Sequence, residues 1–381
     1  MSFTSMSFTQ PGSPHRVADL SGLLSPSLLL FRELLNQNLD SMIGIAGSAE
    51  RLRPHCKTHK MAEVTRIELS KGIRKHKCAT FAEAQMLADA GAKDIFLAYN
   101  PIGPNIQRAV DFLRRFPNVA FSVTADHPQA AATLSQAVSA AGLTIDVLLD
   151  IDIGFHRTGI LPGDAAVELY RQIANSPGLR AGGIHAYDGH YNQPSRSERE
   201  QAVEAEWQIV RAFRDRLVKQ GLPVPRIVVG GTPTFPIHAA NGDPAIEIAP
   251  GTCVLNDAGY GESYADMKFT PAAVLLTRVV SRPAADRITL DLGTKAVASD
   301  PPAGRRVVIP ELPDAQQVVH NEEHLVLETP RAREFTPGDP LMAIPRHICP
   351  TVALHKDVYV ISEGRLIDRW LVTARDRFLS L

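Results

Sequence analysis

The chain is poor in cysteine, nearly without net charge, and lacks any long apolar run. Its four cysteines, Cys56, Cys78, Cys253 and Cys349, are scattered along 381 residues and form no Cys-x-x-Cys pair. That excludes a disulfide framework and fits a reducing compartment, so a cytoplasmic location is expected. A formal net charge of −1 gives no global electrostatic reason to bind nucleic acid or an anionic membrane. A local pocket for an anionic cofactor stays open. No stretch reaches the roughly eighteen apolar residues that a spanning helix needs, so no membrane partner is expected. The first fourteen residues are polar, repeat the string MSFT, and lack the basic start and apolar run of a secretory signal. We expect a disordered tail over residues 1–20.

What is present is a chain long enough for one large domain and a smaller one. Short runs rich in Val, Ile and Leu alternate with longer stretches of helical spacing. The expected strands are Leu28 to Phe31, Ala79 to Phe81, Asp94 to Ala98, Ala120 to Val123, Asp146 to Ile151, Ala181 to His185 and Arg226 to Val229, with one more around Arg53 and His55. Helical spacing runs over Phe81 to Ala90 and Ser197 to Gln220. Regular strand–helix alternation implies a parallel sheet, and continuous apolar strands imply burial on both faces. About eight such units predict an α/β fold, a TIM-type (β/α)8 barrel over residues 21–265. An open doubly wound sheet is the alternative. After about Gly261, short runs split by turns such as Pro337-Gly338-Asp339 predict an antiparallel β domain over 266–381.

Six segments carry chemistry. Arg53-Pro54-His55-Cys56-Lys57-Thr58-His59-Lys60 clusters basic groups after an expected strand. It suits the mouth of a barrel, although on composition alone it reads more readily as a solvated basic turn. Asp152 to Gly159 ends a strand and presents Arg157. Gly183 to Tyr191 gathers two histidines, two tyrosines and a carboxylate, and neutral imidazole at His190 can take a proton near neutral pH. Gly230-Gly231-Thr232 and Gly251-Thr252 read as turns whose backbone can approach an anion closely. His347 and Cys349, two apart on a strand, face one side and can reach one metal, unless they are a buried cysteine beside a hydrogen-bonded histidine. Thiolate softness favours zinc there.

Together these segments resemble the D-threonine aldolase and D-serine dehydratase family, pyridoxal-phosphate enzymes of the alanine-racemase-like fold. The resemblance runs from about Ser25 to the C-terminus. The family's lysine motif reads roughly RPHxKTHK, and this chain matches it at every fixed position. The resemblance implies that Lys57 forms the Schiff base, with His55, His59 and Lys60 supplying a field that favours the neutral amine. It places Arg157 in the cofactor pocket, Tyr187 on the cofactor ring, and the cofactor phosphate on Gly230, Gly231 and Thr232, with Gly251 and Thr252 adding a second contact. It makes His347 and Cys349 the metal pair, with cysteine as in the dehydratase branch. It also implies a homodimer and a small D-amino acid as substrate.

One departure bears on the reaction. The aldolases of the family carry a longer loop after the glycine of the Gly189-His190 pair, with a catalytic histidine a few residues on. This chain has Asn192-Gln193 there. The expected function is therefore a pyridoxal-phosphate- and metal-dependent lyase of the D-serine dehydratase kind, with His190 as candidate acid or base. Retro-aldol cleavage to glycine and an aldehyde is the alternative. An amino acid racemase is more distant, because the His-x-Cys pair has no job in that chemistry, and so is a non-catalytic cofactor carrier, because proteins of that kind use the barrel alone.

Overall fold

The computed structural model describes residues 13–378. Strand β1 (Ser27–Phe31) comes first. Seven strands follow: β2 (Lys75–Cys78), β3 (Asp94–Leu97), β4 (Ala120–Ala125), β5 (Ile145–Asp150), β6 (Leu179–Ala186), β7 (Ile227–Val229) and β8 (Ile246–Ile248). Eight more complete the set: β9 (Ala273–Ala284), β10 (Arg287–Leu290), β11 (Val307–Val308), β12 (Gln316–His320), β13 (Leu325–Glu328), β14 (Pro340–Pro345), β15 (Asp357–Ser362) and β16 (Arg365–Leu371). The chain divides into two compact units.

One unit comprises Met42–Lys57, Ala62–Gly251 and Asp376–Leu381. Its strands pair in the order β2-β3-β4-β5-β6-β7-β8, all parallel, as a curled seven-stranded half-barrel. A helix crosses over between each successive pair, for example Pro104–Arg115 and Pro128–Ala140, both opened by proline where a missing N–H costs nothing. Phe96, Leu148 and Val228 from β3, β5 and β7 meet in a fully buried cluster. Layered branched and aromatic side chains of this kind fill a curled parallel sheet.

The strand expected around Arg53 and His55 is not a strand. Leu52 makes a single parallel bridge to Ile248 and His55 one to Lys77. Arg53 N–H donates to the Ile248 carbonyl and Lys77 N–H to that of Pro54. The reason lies in Arg53, whose fully buried guanidinium donates to Glu247 Oε2 on β8 at 2.6 Å and to Asp94 Oδ1 on β3 at 2.7 Å. Lys75 adds a second cationic contact to Glu247 at 3.0 Å. A second expectation also shifts: Ala79 to Phe81 leads into the helix Phe81–Asp89, and the strand is the preceding Lys75–Cys78.

The other unit comprises Met1–Ser41, Thr58–Met61 and Thr252–Arg375. Its nine-stranded sheet is mostly antiparallel, as expected for the C-terminal region. It also takes in β1, which runs parallel to β15 and antiparallel to β9. Leu28 to Phe31 was expected among the parallel strands. Its continuous apolar pattern reports burial on both faces but not which sheet supplies the neighbours. Residues 1–12 of the expected tail lie outside the described residues, whereas His15 and Val17 within it are buried. His15 packs edge-on against Phe31 and bonds the Pro271 carbonyl at 2.7 Å. No described helix is long and apolar enough to cross a membrane.

Removing one partner of a buried ion pair leaves the other charge uncompensated. Arg53→Met is therefore expected to lower unfolding free energy by about 3–5 kcal/mol in urea titrations. An unchanged midpoint and slope would mean that the two carboxylates do not depend on it.

Candidate active site

After the bridged residues 52–55 the chain tightens into a single 3-10 turn, Cys56–Thr58. The backbone N–H of Lys57 donates to His55 Nδ1 at 3.2 Å. This turn presents the Lys57 amine to a cavity of about 800 Å³ at the C-terminal ends of the parallel strands. Lys77, Asp150, Arg157, His185 and Tyr187 line the same cavity.

The ring of Tyr187 is the centre of this arrangement. Lys57 Nζ lies 5.9 Å from its centroid, Lys77 Nζ 5.2 Å and the Arg157 guanidinium carbon 4.8 Å. Arg157 also covers Phe155 at 4.7 Å. Two glycines make the seat. A Cβ on Gly189 would fall 2.3 Å from the Tyr187 ring, and one on Gly231 would reach 3.4 Å from Cε2. The first is sterically impossible without moving the ring. Three cations around one aromatic face are mutually repulsive, and such a pocket is stabilised by an anionic guest.

Three of these lining residues, Lys77, Asp150 and His185, were not among the site residues expected from sequence. Lys77 Nζ stands 2.8 Å from His185 Nε2, and His185 Nδ1 stands 2.7 Å from Asp150 Oδ1. All three are buried. Burial, reinforced by the charge on Lys57, pulls the Lys77 ammonium down to about 7. Burial likewise lowers His185, with the Lys77 charge adding to the effect. Burial works against ionisation of Asp150, but the His185 contact outweighs it and holds the carboxyl below its usual range. A signal existed: β2 reads Lys-His-Lys-Cys yet is buried over its last three residues. Basic residues in a central strand need a functional or pairing reason.

The Gly230-Gly231-Thr232 turn is tightly fixed. Gly230 sits at φ +84, where glycine is favoured. Gly231 N–H donates to Thr234 Oγ1 at 3.0 Å, and that hydroxyl donates to Asp188 Oδ1 at 2.8 Å. Asp188 also bonds His238 at 2.7 Å. Gly251 N–H donates to Thr232 Oγ1 at 3.2 Å, which joins the two expected phosphate turns and leaves the Thr232 hydroxyl proton for another acceptor.

His190 is not brought to the cavity. It stacks on Phe155 at 5.5 Å, with Nε2 3.8 Å from Glu206 Oε1. Burial lowers its pKa, and burial together with Asp188 pushes Glu206 up to about 8.

In the second unit, His347 and Cys349 are not on a strand. β14 ends at Pro345, His347 is the N-cap residue of the helix Ile348–Leu354, and Cys349 lies in its first turn. His347 Nδ1 meets Asp300 Oδ2 at 2.5 Å. Cys349 Sγ lies 3.2 Å from Thr58 Oγ1 and 3.6 Å from Thr252 Oγ1, so the Thr252 hydroxyl is engaged with the thiol. Thr58 is the residue that follows Lys57 in the chain. Burial disfavours both charges, but the His347–Cys349 hydrogen bond outweighs it, raising His347 to about 9 and lowering the thiol. Imidazole and thiol are thus side by side, the chemistry of a soft-metal donor pair. A different trio, His55, Cys56 and Glu83, also has donor atoms within 4.8 Å of one another. There Glu83 accepts from the Ala79 amide at 2.7 Å beside a helix start, a capping role that accounts for it.

Comparison with known proteins agrees with this architecture. Residues 32–256 match the family "Alanine racemase, N-terminal domain", and residues 272–361 match a serine dehydratase domain. The chain is 31% identical to D-threonine aldolase of Arthrobacter sp over 373 residues, covering 96% of this chain and 95% of that one. It is 29% identical to 3-hydroxy-D-aspartate aldolase of Paracoccus denitrificans (strain Pd 1222), covering 94% of each. The crystal structure of D-threonine aldolase from Filomicrobium marinum superposes with a TM-score of 0.85 at 27% identity, covering 92% of this chain and 95% of that one. The chain belongs to the D-threonine aldolase and D-serine dehydratase family, built on an alanine racemase N-terminal domain.

Proposed function

We propose that this chain is a pyridoxal-phosphate-dependent lyase acting on β-hydroxy-D-amino acids, eliminating ammonia to leave a 2-oxo acid. The observation that supports it best is the Lys57 amine in a cavity where the flat ring of Tyr187 is met by Lys57, Lys77 and Arg157. The donor set fits the cofactor part by part. Lys57 is a primary amine for its aldehyde. Arg157 answers its negative charge. The turn at Gly230 and Gly231 leaves room beside Tyr187, and Thr232 keeps a hydroxyl proton for a phosphate oxygen. When bound, the cofactor supplies a sink for the electron pair left at the substrate's α-carbon.

Lys57 Nζ is then the base that takes the α-proton. Arg157 and Tyr187 hold the flat guest in place, and the buried wall of β3, β5 and β7 keeps water from the closed end. The same reading treats residues 52–55, bridged to Ile248 and Lys77, as the eighth position of a closed barrel. His347 and Cys349 would hold a divalent metal, zinc by the softness of the thiolate, and it would supply a Lewis acid for the substrate's β-hydroxyl. A homodimer belongs to the same proposal.

Retro-aldol cleavage is the second reading, favoured by the 31% identity to a D-threonine aldolase. Elimination is favoured by Cys349 and by the absence of His190 from the cavity lining. Incubation with D-serine, D-threonine and 3-hydroxy-D-aspartate separates them. A 2-oxo acid with ammonia is the expected product; glycine with an aldehyde would establish the second reading, and racemisation alone would refute both.

Lys57→Ala is expected to remove the absorbance band of the bound cofactor and to cut turnover by about 10²–10⁴-fold. A retained band would remove Lys57 from its role. A chelator is expected to stop turnover, with recovery on adding Zn²⁺, and Cys349→Ala to lower metal content measured by mass spectrometry. Full activity without metal would end the assignment of His347 and Cys349.

A further inference from the structure

We propose that Lys77 is a second catalytic amine of this site, the proton acceptor and donor for the substrate's amino nitrogen, worked through the relay Lys77–His185–Asp150. The inference rests on the lyase reading and is neutral between its two reactions.

The geometry has the three parts that an activated nucleophile or base requires: a working group, a base within hydrogen-bond reach, and a third group that orients the base. Lys77 Nζ to His185 Nε2 is 2.8 Å, and His185 Nδ1 to Asp150 Oδ1 is 2.7 Å. With the carboxylate accepting from Nδ1–H, Nε2 is left as an acceptor, so the Lys77 amine and imidazole share one proton. Strands β2, β5 and β6 carry the three residues, the last two strands being neighbours in the sheet, and all three residues are buried. All three line the cavity that Lys57 enters, with both amines within 6 Å of the Tyr187 centroid.

A purely structural lysine has no reason to stand there. It is buried, faces Lys57 and Arg157 as like charges, and is opposed by the charges of Asp150 and Asp188. That balance draws it to about 7, where an amine both gives and takes protons.

The step it performs is simple in its balance. An amino acid enters with its ammonium, but only the neutral nitrogen can displace Lys57. One N–H bond of the substrate breaks and its electron pair stays on the substrate nitrogen. The proton forms a new N–H bond on Lys77, whose ammonium then donates to His185 Nε2. When the nitrogen leaves, as ammonia or within glycine, Lys77 returns the proton. No further reactant is consumed.

The test uses the holoenzyme. Lys77→Met is expected to keep the cofactor absorbance band but to lose about 10²–10⁴-fold in turnover. Added alkylamines should restore part of it, more strongly as their basicity rises. Lys77→Arg keeps the charge but cannot release a proton, and is expected to be as slow as Lys77→Met without amine. A Lys77→Arg enzyme at the wild-type rate, or a Lys77→Met enzyme that amines do not rescue, would overturn the proposal while the wild-type band leaves the lyase reading standing. A wild-type protein with no band would instead refute that reading. Should Lys77→Met fail to fold, trace acetylation of the wild-type holoenzyme across pH reads the same amine. Lys77 should react as a neutral amine by pH 8, and silence up to pH 10 would overturn its role.

Discussion

The guanidinium of Arg53 holds the active-site end of this chain in place. It is fully buried and joins a carboxylate of β3 to one of β8 across residues that form no strand of their own. In a low-dielectric setting a bidentate, hydrogen-bonded arginine offsets two carboxylates that would otherwise be costly to bury. The turn that presents Lys57 begins three residues later. The position of the reactive amine therefore follows from an ion pair rather than from sheet hydrogen bonding, and the same short segment both builds the wall and supplies the chemistry.

Charge distribution then decides what the cavity can hold. Lys57, Lys77 and Arg157 crowd one tyrosine ring, and the absence of side chains at Gly189 and Gly231 leaves room for that ring. Cations gathered without equal anions favour a guest that brings negative charge and a flat face. In the second unit a thiol and an imidazole lie hydrogen-bonded at a helix start, a donor pair suited to a soft cation. The amine cluster and the thiol–imidazole pair thus lie on separate parts of the chain.

Much of this was legible in the sequence. The apolar runs from Asp94 to Ile151 marked real strands because burial on both faces leaves a continuous hydrophobic signature. Lys57, Arg157 and Tyr187 were found through the motifs that contain them, and all three line one cavity. What escaped has physical causes. β2 was missed because its side chains are basic, and their partners, Asp150 and His185, come from strands more than seventy residues away. β1 was seen as a strand but assigned to the wrong sheet, since side-chain periodicity carries no information on partners. His347 and Cys349 were read as neighbours on a strand, whereas the helix that starts at Ile348 brings them together by a different geometry. His190 was drawn in by its place beside a glycine, and the fold turns it to Phe155 and Glu206 instead.

The central claim is that one amine carries the cofactor covalently. Reducing the holoenzyme with borohydride and locating the modified lysine by peptide mass spectrometry tests it directly. The account predicts a single pyridoxyl adduct on the peptide containing Lys57. An adduct on Lys77 or elsewhere, or none at all, would contradict it.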